Sequence, residues 1–223
     1  MAQLHQTPFQ QPRPVNGLWY YWQYEGLPVN LHHGPLIYDY LDSIHRTIMS
    51  SLFHSPRTFA VRFDLRVPQN FDVRDSAVIS RFFASLKAQL DATDAKKVRE
   101  GQRLRPHNLR YVWVREIGEC GRPHYHVLVL LNEDRFRTLG SLCSEEGNLA
   151  ARIKKAWASA LRLPLEQLGG LVHFPENPQY HLDVNDPGFR SVLNSLFFRV
   201  SYFAKTPTKI FGLGQRNFGA SWS

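Results

Sequence analysis

Cysteine is nearly absent: Cys120 and Cys143 are the two in 223 residues. That excludes a disulfide framework and any zinc site built on cysteine. No apolar run approaches the roughly 20 residues needed to span a bilayer. The opening stretch MAQLHQTPFQQPRP is polar, without the apolar segment of a signal peptide. Together these set the expectation of a cytoplasmic protein with no membrane partner. The phosphate-binding pattern G-x-x-x-x-G-K-[ST] is missing, so a helicase motor would have to be a separate protein. Acidic residues are in short supply. The 19 Asp and Glu face 27 Lys and Arg, for a net charge of +8, which points to a polyanion. With no basic amphipathic helix, nucleic acid comes ahead of a membrane surface.

What is present suffices for a packed core: 43% of the residues are hydrophobic and 13% aromatic. The length suits one domain. The expected division is a flexible, aromatic arm over residues 1–30 and a single domain with a C-terminal tail over 31–223. The arm contains LWYYWQY (18–24), read as a packed arm or edge strand ahead of a base-stacking surface.

Periodicity places the elements. Gly34-Pro35 opens a helix to about Phe53, with Ile37, Tyr40, Leu41, Ile44, Ile48 and Leu52 at core spacing. His32, His33, His45 and His54 find no partner in the sequence and read as structural or surface residues. Thr58 to Val67 alternates cleanly: Phe59, Val61, Phe63 and Leu65 on the core face, Ala60, Arg62, Asp64 and Arg66 on a polar face. Those charges either pair with one another or meet a phosphodiester backbone. Asp75 or Ser76 caps a helix from Ala77 to about Leu90. The basic stretch KKVREGQRLRPHNLR (96–110) reads as a solvated loop able to track DNA electrostatically. A helix over Asn148–Leu163, short strands near Leu171–Phe174 and Tyr180–Val184, and a helix from Asp186-Pro187 to about Lys205 complete the chain.

The stretch that organises the rest is YVWVREIGECGRPHYHVLVLLN (111–132). It reads as a β-hairpin whose second strand carries His124 and His126 on one face. A three-residue loop, Glu119-Cys120-Gly121 with Gly121 left-handed, would pair Ile117 with Pro123 and Glu116 with His124. Opposed side chains on a hairpin stand about 5 Å apart. Two imidazoles and a carboxylate then converge as a divalent-cation site with open coordination positions. A different turn would offer Glu119 in place of Glu116. A jelly-roll oxygenase or isomerase would want a carboxylate further along the same strand, and Glu133 falls past its end at the wrong parity.

Near the end of the last helix stand Tyr202 and Lys205, neighbours at i, i+3. By itself the pair is an ordinary helix-surface contact. Chemically, a cation beside a phenol stabilises negative charge on its oxygen and on a phosphate under attack.

Taken together, PHYHV (123–127), VRFDLRVP (61–68), YFAK (202–205) and the closing RNFGAS (216–221) resemble the HUH endonucleases (histidine, hydrophobic, histidine). The nearer resemblance is to filamentous-phage replication initiators and to YagK/YfjJ-type proteins of integrated elements. It covers about residue 57 to the C-terminus. One candidate tyrosine is present where some initiators carry a pair. The resemblance implies an α+β fold in which an antiparallel sheet is flanked by helices, with the tyrosine helix over the two-histidine strand. It also implies site-specific nicking of one DNA strand at an origin, unpaired or folded as a hairpin, to start rolling-circle replication. Tyr202 would become linked to the 5′ end and leave a 3′ hydroxyl for a polymerase. Glu116, His124 and His126 would hold Mg²⁺ or Mn²⁺, and Lys205 would neutralise charge. Arg62, Arg66, Arg110, Arg122, Lys209 and Arg216 are the candidates for gripping DNA. A non-catalytic origin binder or repressor on the same scaffold, or a relaxase or transposase with the same chemistry, fits the same residues.

Overall fold

The computed structural model describes residues 12–118, 121–144, 146–207 and 215–221. Its first strands are short: β1 (Leu18–Trp19), β2 (Gln23–Tyr24), β3 (Leu27–Pro28) and β4 (Leu36–Ile37). Helix α1 (Tyr38–His54), strand β5 (Arg57–Arg66) and helix α2 (Val78–Arg99) follow. The hairpin β6 (Arg110–Ile117) and β7 (Pro123–Asn132) leads to α3 (Leu149–Leu161), β8 (Val172–His173) and β9 (Gln179–Asp183). Helix α4 (Phe189–Ser201) passes into a 3₁₀ turn (Tyr202–Ala204), and β10 (Phe218–Ala220) ends the described chain.

The main sheet is antiparallel, in the order β10-β6-β7-β5-β8, with β9 also pairing β5. The fold is therefore α+β with an antiparallel sheet between helices. Because side chains alternate along a strand, the sheet sorts its residues into two cores. Phe59, Val61, Phe63, Leu65, Trp113, Tyr125, Val127 and Val129 pack under α2 and α3. Ala60, Val112, Val114, Leu128 and Leu130 pack under α1 and α4. The polar face expected for β5 is therefore largely covered, with Arg66 at the strand end exposed. Ala60 and Asp64 are buried because a second helical layer covers that face.

Three further differences have physical causes. Helix α2 runs on to Arg99, so Lys96, Lys97 and Arg99 are helical rather than in a loop. Nothing before Gly101, at φ +66, breaks the helix, and Lys87 pairs with Asp91 one turn on at 2.6 Å. Helix α4 begins at Phe189, two residues beyond Pro187, because Asp186 Oδ1 takes the Gly188 N–H in a turn. And the stretch expected as an arm contributes Trp19, Tyr24, Leu27 and Val29 to the second core, each at most 4% exposed. Residues 1–11 lie outside the described residues.

The first core is anchored by Trp157 of α3, fully buried, whose Nε1–H donates to the Arg66 carbonyl across 2.8 Å. Truncating it leaves both a cavity and an unpaired carbonyl. Trp157→Ala is expected to cost about 3–5 kcal/mol of unfolding free energy. Urea denaturation would show this as a lowered midpoint at an unchanged slope.

Candidate metal and tyrosine centre

The hairpin turn sets the site. Gly121 is left-handed at φ +69, and β6 and β7 pair Ile117 with Pro123 and Glu116 with His124. Glu119, the other carboxylate considered, lies outside the described residues. On the face under α1 and α4, Glu116, His124 and His126 bring a ligand atom each to within 4.8 Å of one another. Glu116 Oε2 stands 3.6 Å from His124 Nε2 and 3.4 Å from His126 Nε2. Neighbouring ligands on a small divalent ion sit roughly 3 Å apart, close to these two separations.

Next to the triad is a carboxylate that the sequence reading paired only with its own strand neighbours. Asp64 of β5 is registered opposite His126, and its Oδ1 lies 2.5 Å from His126 Nδ1. Nδ1–H donation to that oxygen, with Arg62 Nη2 also 3.0 Å from Nδ1, turns Nε2 toward Glu116. Arg62 holds the other oxygen of Asp64 at 2.9 Å. His126 Nε2 is buried and faces Glu116 Oε2 at 3.4 Å. A buried nitrogen oriented in this way, beside a second imidazole and a carboxylate, is what a metal requires, and the residues fit the ion implied by the resemblance.

The charges agree. Burial would raise the Glu116 carboxyl, but hydrogen bonding from His124 and His126, and then from Lys205, holds it far below the usual carboxylate range. Burial likewise works against ionised Asp64, and His126 and Arg62 outweigh it. His126 is pushed down by burial and more strongly up by Asp64 and Glu116, so it keeps a proton above the ordinary histidine range. A metal at Nε2 must displace that proton.

Helix α4 delivers the tyrosine. It tightens into the 3₁₀ turn, where residues three apart eclipse, so the Lys205 ammonium bonds the Tyr202 hydroxyl. The same ammonium lies 3.0 Å from Glu116 Oε2 and 3.8 Å from the centroid of the Tyr202 ring. The Tyr202 and His126 rings are 5.8 Å apart. Lys205 thus links the phenol oxygen to a ligand of the triad. His33, left without a partner by the sequence, sits edge-to-face on Tyr202 at 5.2 Å.

The structure brings together Glu116, His124, His126, Tyr202 and Lys205, with Arg62 one contact away through Asp64. Arg66 is exposed and registered opposite His124, and Arg122 is half-buried at the hairpin turn. Arg216 is exposed over the Trp113 ring at 5.8 Å, toward the α2 face. Arg110 is not at the site. It is buried at the other end of β6, six residues from Glu116 or roughly 20 Å by strand rise, and is held by His54 at 3.1 Å. Its position follows from the strand beginning there rather than a solvated loop continuing to it. Lys209 lies outside the described residues.

A family profile described as the YagK/YfjJ C-terminal domain matches residues 23–221. The chain belongs to this family. It is 39% identical over 198 residues to the uncharacterized protein YagK of Escherichia coli (strain K12), covering 85% of this chain and 95% of YagK. It is 36% identical over 193 residues to the uncharacterized protein YfjJ of the same strain, covering 82% and 93%. No solved structure matches the chain. The YagK/YfjJ match begins at residue 23, well before the resemblance at residue 57, and takes in the segment that packs against the tyrosine turn. No helix among the described residues is long and apolar enough to cross a membrane.

If the triad holds Mn²⁺, Asp64 orients a candidate ligand without being one, and Asp64→Asn is expected to weaken Mn²⁺ binding about 10- to 100-fold while leaving all three candidate ligands in place. Isothermal titration reads this directly. An unchanged affinity would remove Asp64 from the site.

Proposed function

We propose that this family member is an HUH-type endonuclease: a metal-dependent, site-specific single-strand DNA nickase and strand transferase that initiates rolling-circle replication. The observation that carries the reading is the chain of contacts Glu116–Lys205–Tyr202, which puts a nucleophilic hydroxyl beside a three-ligand cation site. A metal triad alone would suit many hydrolases. A tyrosine tied to it by a buried lysine suits covalent transfer.

In the proposed step the Tyr202 oxygen attacks the scissile phosphorus as the bond from phosphorus to O3′ breaks. The phenolic proton passes to solvent water, and the departing O3′ takes a proton from solvent water. The 5′ phosphate stays on Tyr202, and the free 3′ hydroxyl can prime a polymerase. Lys205 stands where it can hold the phenol oxygen in line and meet the charge growing on the phosphate. Arg62 and Asp64 keep His126 in its tautomer. Arg66 and Arg122, at the same end of the sheet, are placed to meet the strand on either side. When bound, Mg²⁺ or Mn²⁺ supplies neutralising charge to the phosphate oxygens and orients the strand. The two imidazole nitrogens favour Mn²⁺ over the more oxygen-seeking Mg²⁺. Bases must be unpaired for the phosphate to enter, so the substrate is a melted or hairpin origin. A helicase is the partner that would open the strand. Bacterial cytoplasm is the setting that fits this chemistry.

The test incubates the protein with Mn²⁺ and a labelled single-stranded origin oligonucleotide. A labelled band that survives denaturing electrophoresis and vanishes with chelator is the expected result. Metal-independent binding with no covalent product would instead favour a non-catalytic origin binder on this scaffold.

A further inference from the structure

We propose that the exposed rings of Tyr20, Tyr21 and Trp22 form a stacking platform for the unpaired bases of the strand whose phosphate lies at Tyr202. The inference rests on the nickase reading and names substrate contacts for the same site.

The three rings stand out on the surface, at 51%, 43% and 67% exposure. The backbone that carries them is anchored on both sides, because Trp19 before them and Tyr24 after them are each 4% exposed. Their segment is tied to the tyrosine turn from both sides. On one side Trp19 pairs with Leu36, and Leu36 forms a bridge to Lys205. On the other, the Trp22 carbonyl accepts from Val29 N–H at 3.0 Å, and the next residue, Asn30, donates its N–H to Ser201 Oγ at 2.9 Å. Ser201 directly precedes Tyr202. The rings therefore project from a strap whose ends are fastened beside the nucleophile. More rings stand along the strap: His33 on Tyr202 at 5.2 Å, and His32 on Phe198 at 6.4 Å.

Chemistry selects the occupant. The row of exposed side chains has no aliphatic member, and each ring has a polar tip. A strand already held by its phosphate at Tyr202 presents bases whose flat faces match these rings, and stacking is tolerant of sequence. The net charge of +8 draws in the same polyanion.

The experiment uses the full chain carrying Tyr202→Phe, so that binding is read without turnover. Its affinity for a short single-stranded oligonucleotide and for the corresponding duplex is measured by fluorescence anisotropy. Tyr20→Ala and Trp22→Ala are each expected to weaken single-strand binding roughly tenfold, with duplex affinity and Mn²⁺ affinity unchanged. Trp22→Phe keeps a ring and should retain binding. It should nevertheless lose the quenching of tryptophan emission that single-stranded DNA causes in the parent, a readout that survives if an alanine variant folds poorly. Unchanged single-strand affinity in the alanine variants, equal losses on duplex, or identical quenching in Trp22→Phe would overturn the platform. The two readings fail separately. Ring-dependent binding without a covalent product in the Tyr202-containing protein sinks nicking alone. A normal covalent product with ring-independent binding sinks the platform alone.

Discussion

Tyr202→Phe is expected to abolish the covalent protein–DNA product, with a rate loss of at least about a thousandfold. The substitution removes a single oxygen. The ring keeps its packing against His126 and His33, and Lys205 keeps its 3.0 Å contact with Glu116. Folding and Mn²⁺ affinity should therefore stay close to those of the parent, so a lost product cannot be laid to a collapsed site. Single-turnover assays with matched Mn²⁺ titrations check both halves. A product formed at the parental rate by Tyr202→Phe would mean that another residue is the nucleophile.

His126→Ala is expected to have the largest effect on metal. It removes a candidate ligand nitrogen and strips Asp64 of its contact with His126, leaving that carboxylate its 2.9 Å ion pair with Arg62. Loss of at least about a hundredfold in Mn²⁺ affinity follows from losing one of three ligands together with its oriented support. His124→Ala should cost less, since that side chain is 29% exposed against 10% for His126 and water can take its place. The same ring gives the pH dependence. In the metal-free protein His126 has a raised pKa, so its protonated form stabilises the fold below the ordinary histidine value near 6.5. That contribution is lost as pH rises through the raised value. Mn²⁺ competes with this proton, so affinity should increase with pH over the same interval, with proton release. Titrations at several pH values in buffers of different ionisation enthalpy would show it. An affinity independent of pH would place the metal elsewhere.

How far the sequence reveals this arrangement depends on the range of the forces involved. The Glu116–His124 pairing was legible because a three-residue turn with a left-handed glycine sets register locally. Tyr202 and Lys205 were legible as a pair because three-residue spacing is a property of one helical turn. Asp64 was visible as a charge, but its partner was not. Its opposition to His126 depends on how β5 docks on β7, and no short turn joins those strands. The covering of β5's polar face is hidden for the same reason, since one strand's alternation cannot tell solvent from a helix that leaves a polar pocket, although the flanking of the sheet by helices is part of what the resemblance implies. Helix α2 runs past Leu90 because the charge-rich stretch that reads as loop by composition contains no residue that stops a helix before Gly101. His33 came to the site through a strap whose fastening to Ser201 and Lys205 spans most of the chain, a contact with no local signature.

The most direct measurement is peptide mapping by mass spectrometry of the product trapped with Mn²⁺ and a single-stranded origin oligonucleotide. Trypsin should release residues 200–205, VSYFAK, with Tyr202 carrying the 5′ phosphate of the cleaved strand. Nucleotide found on any other residue, or no linked peptide from protein whose metal site is shown to be filled, would contradict the account.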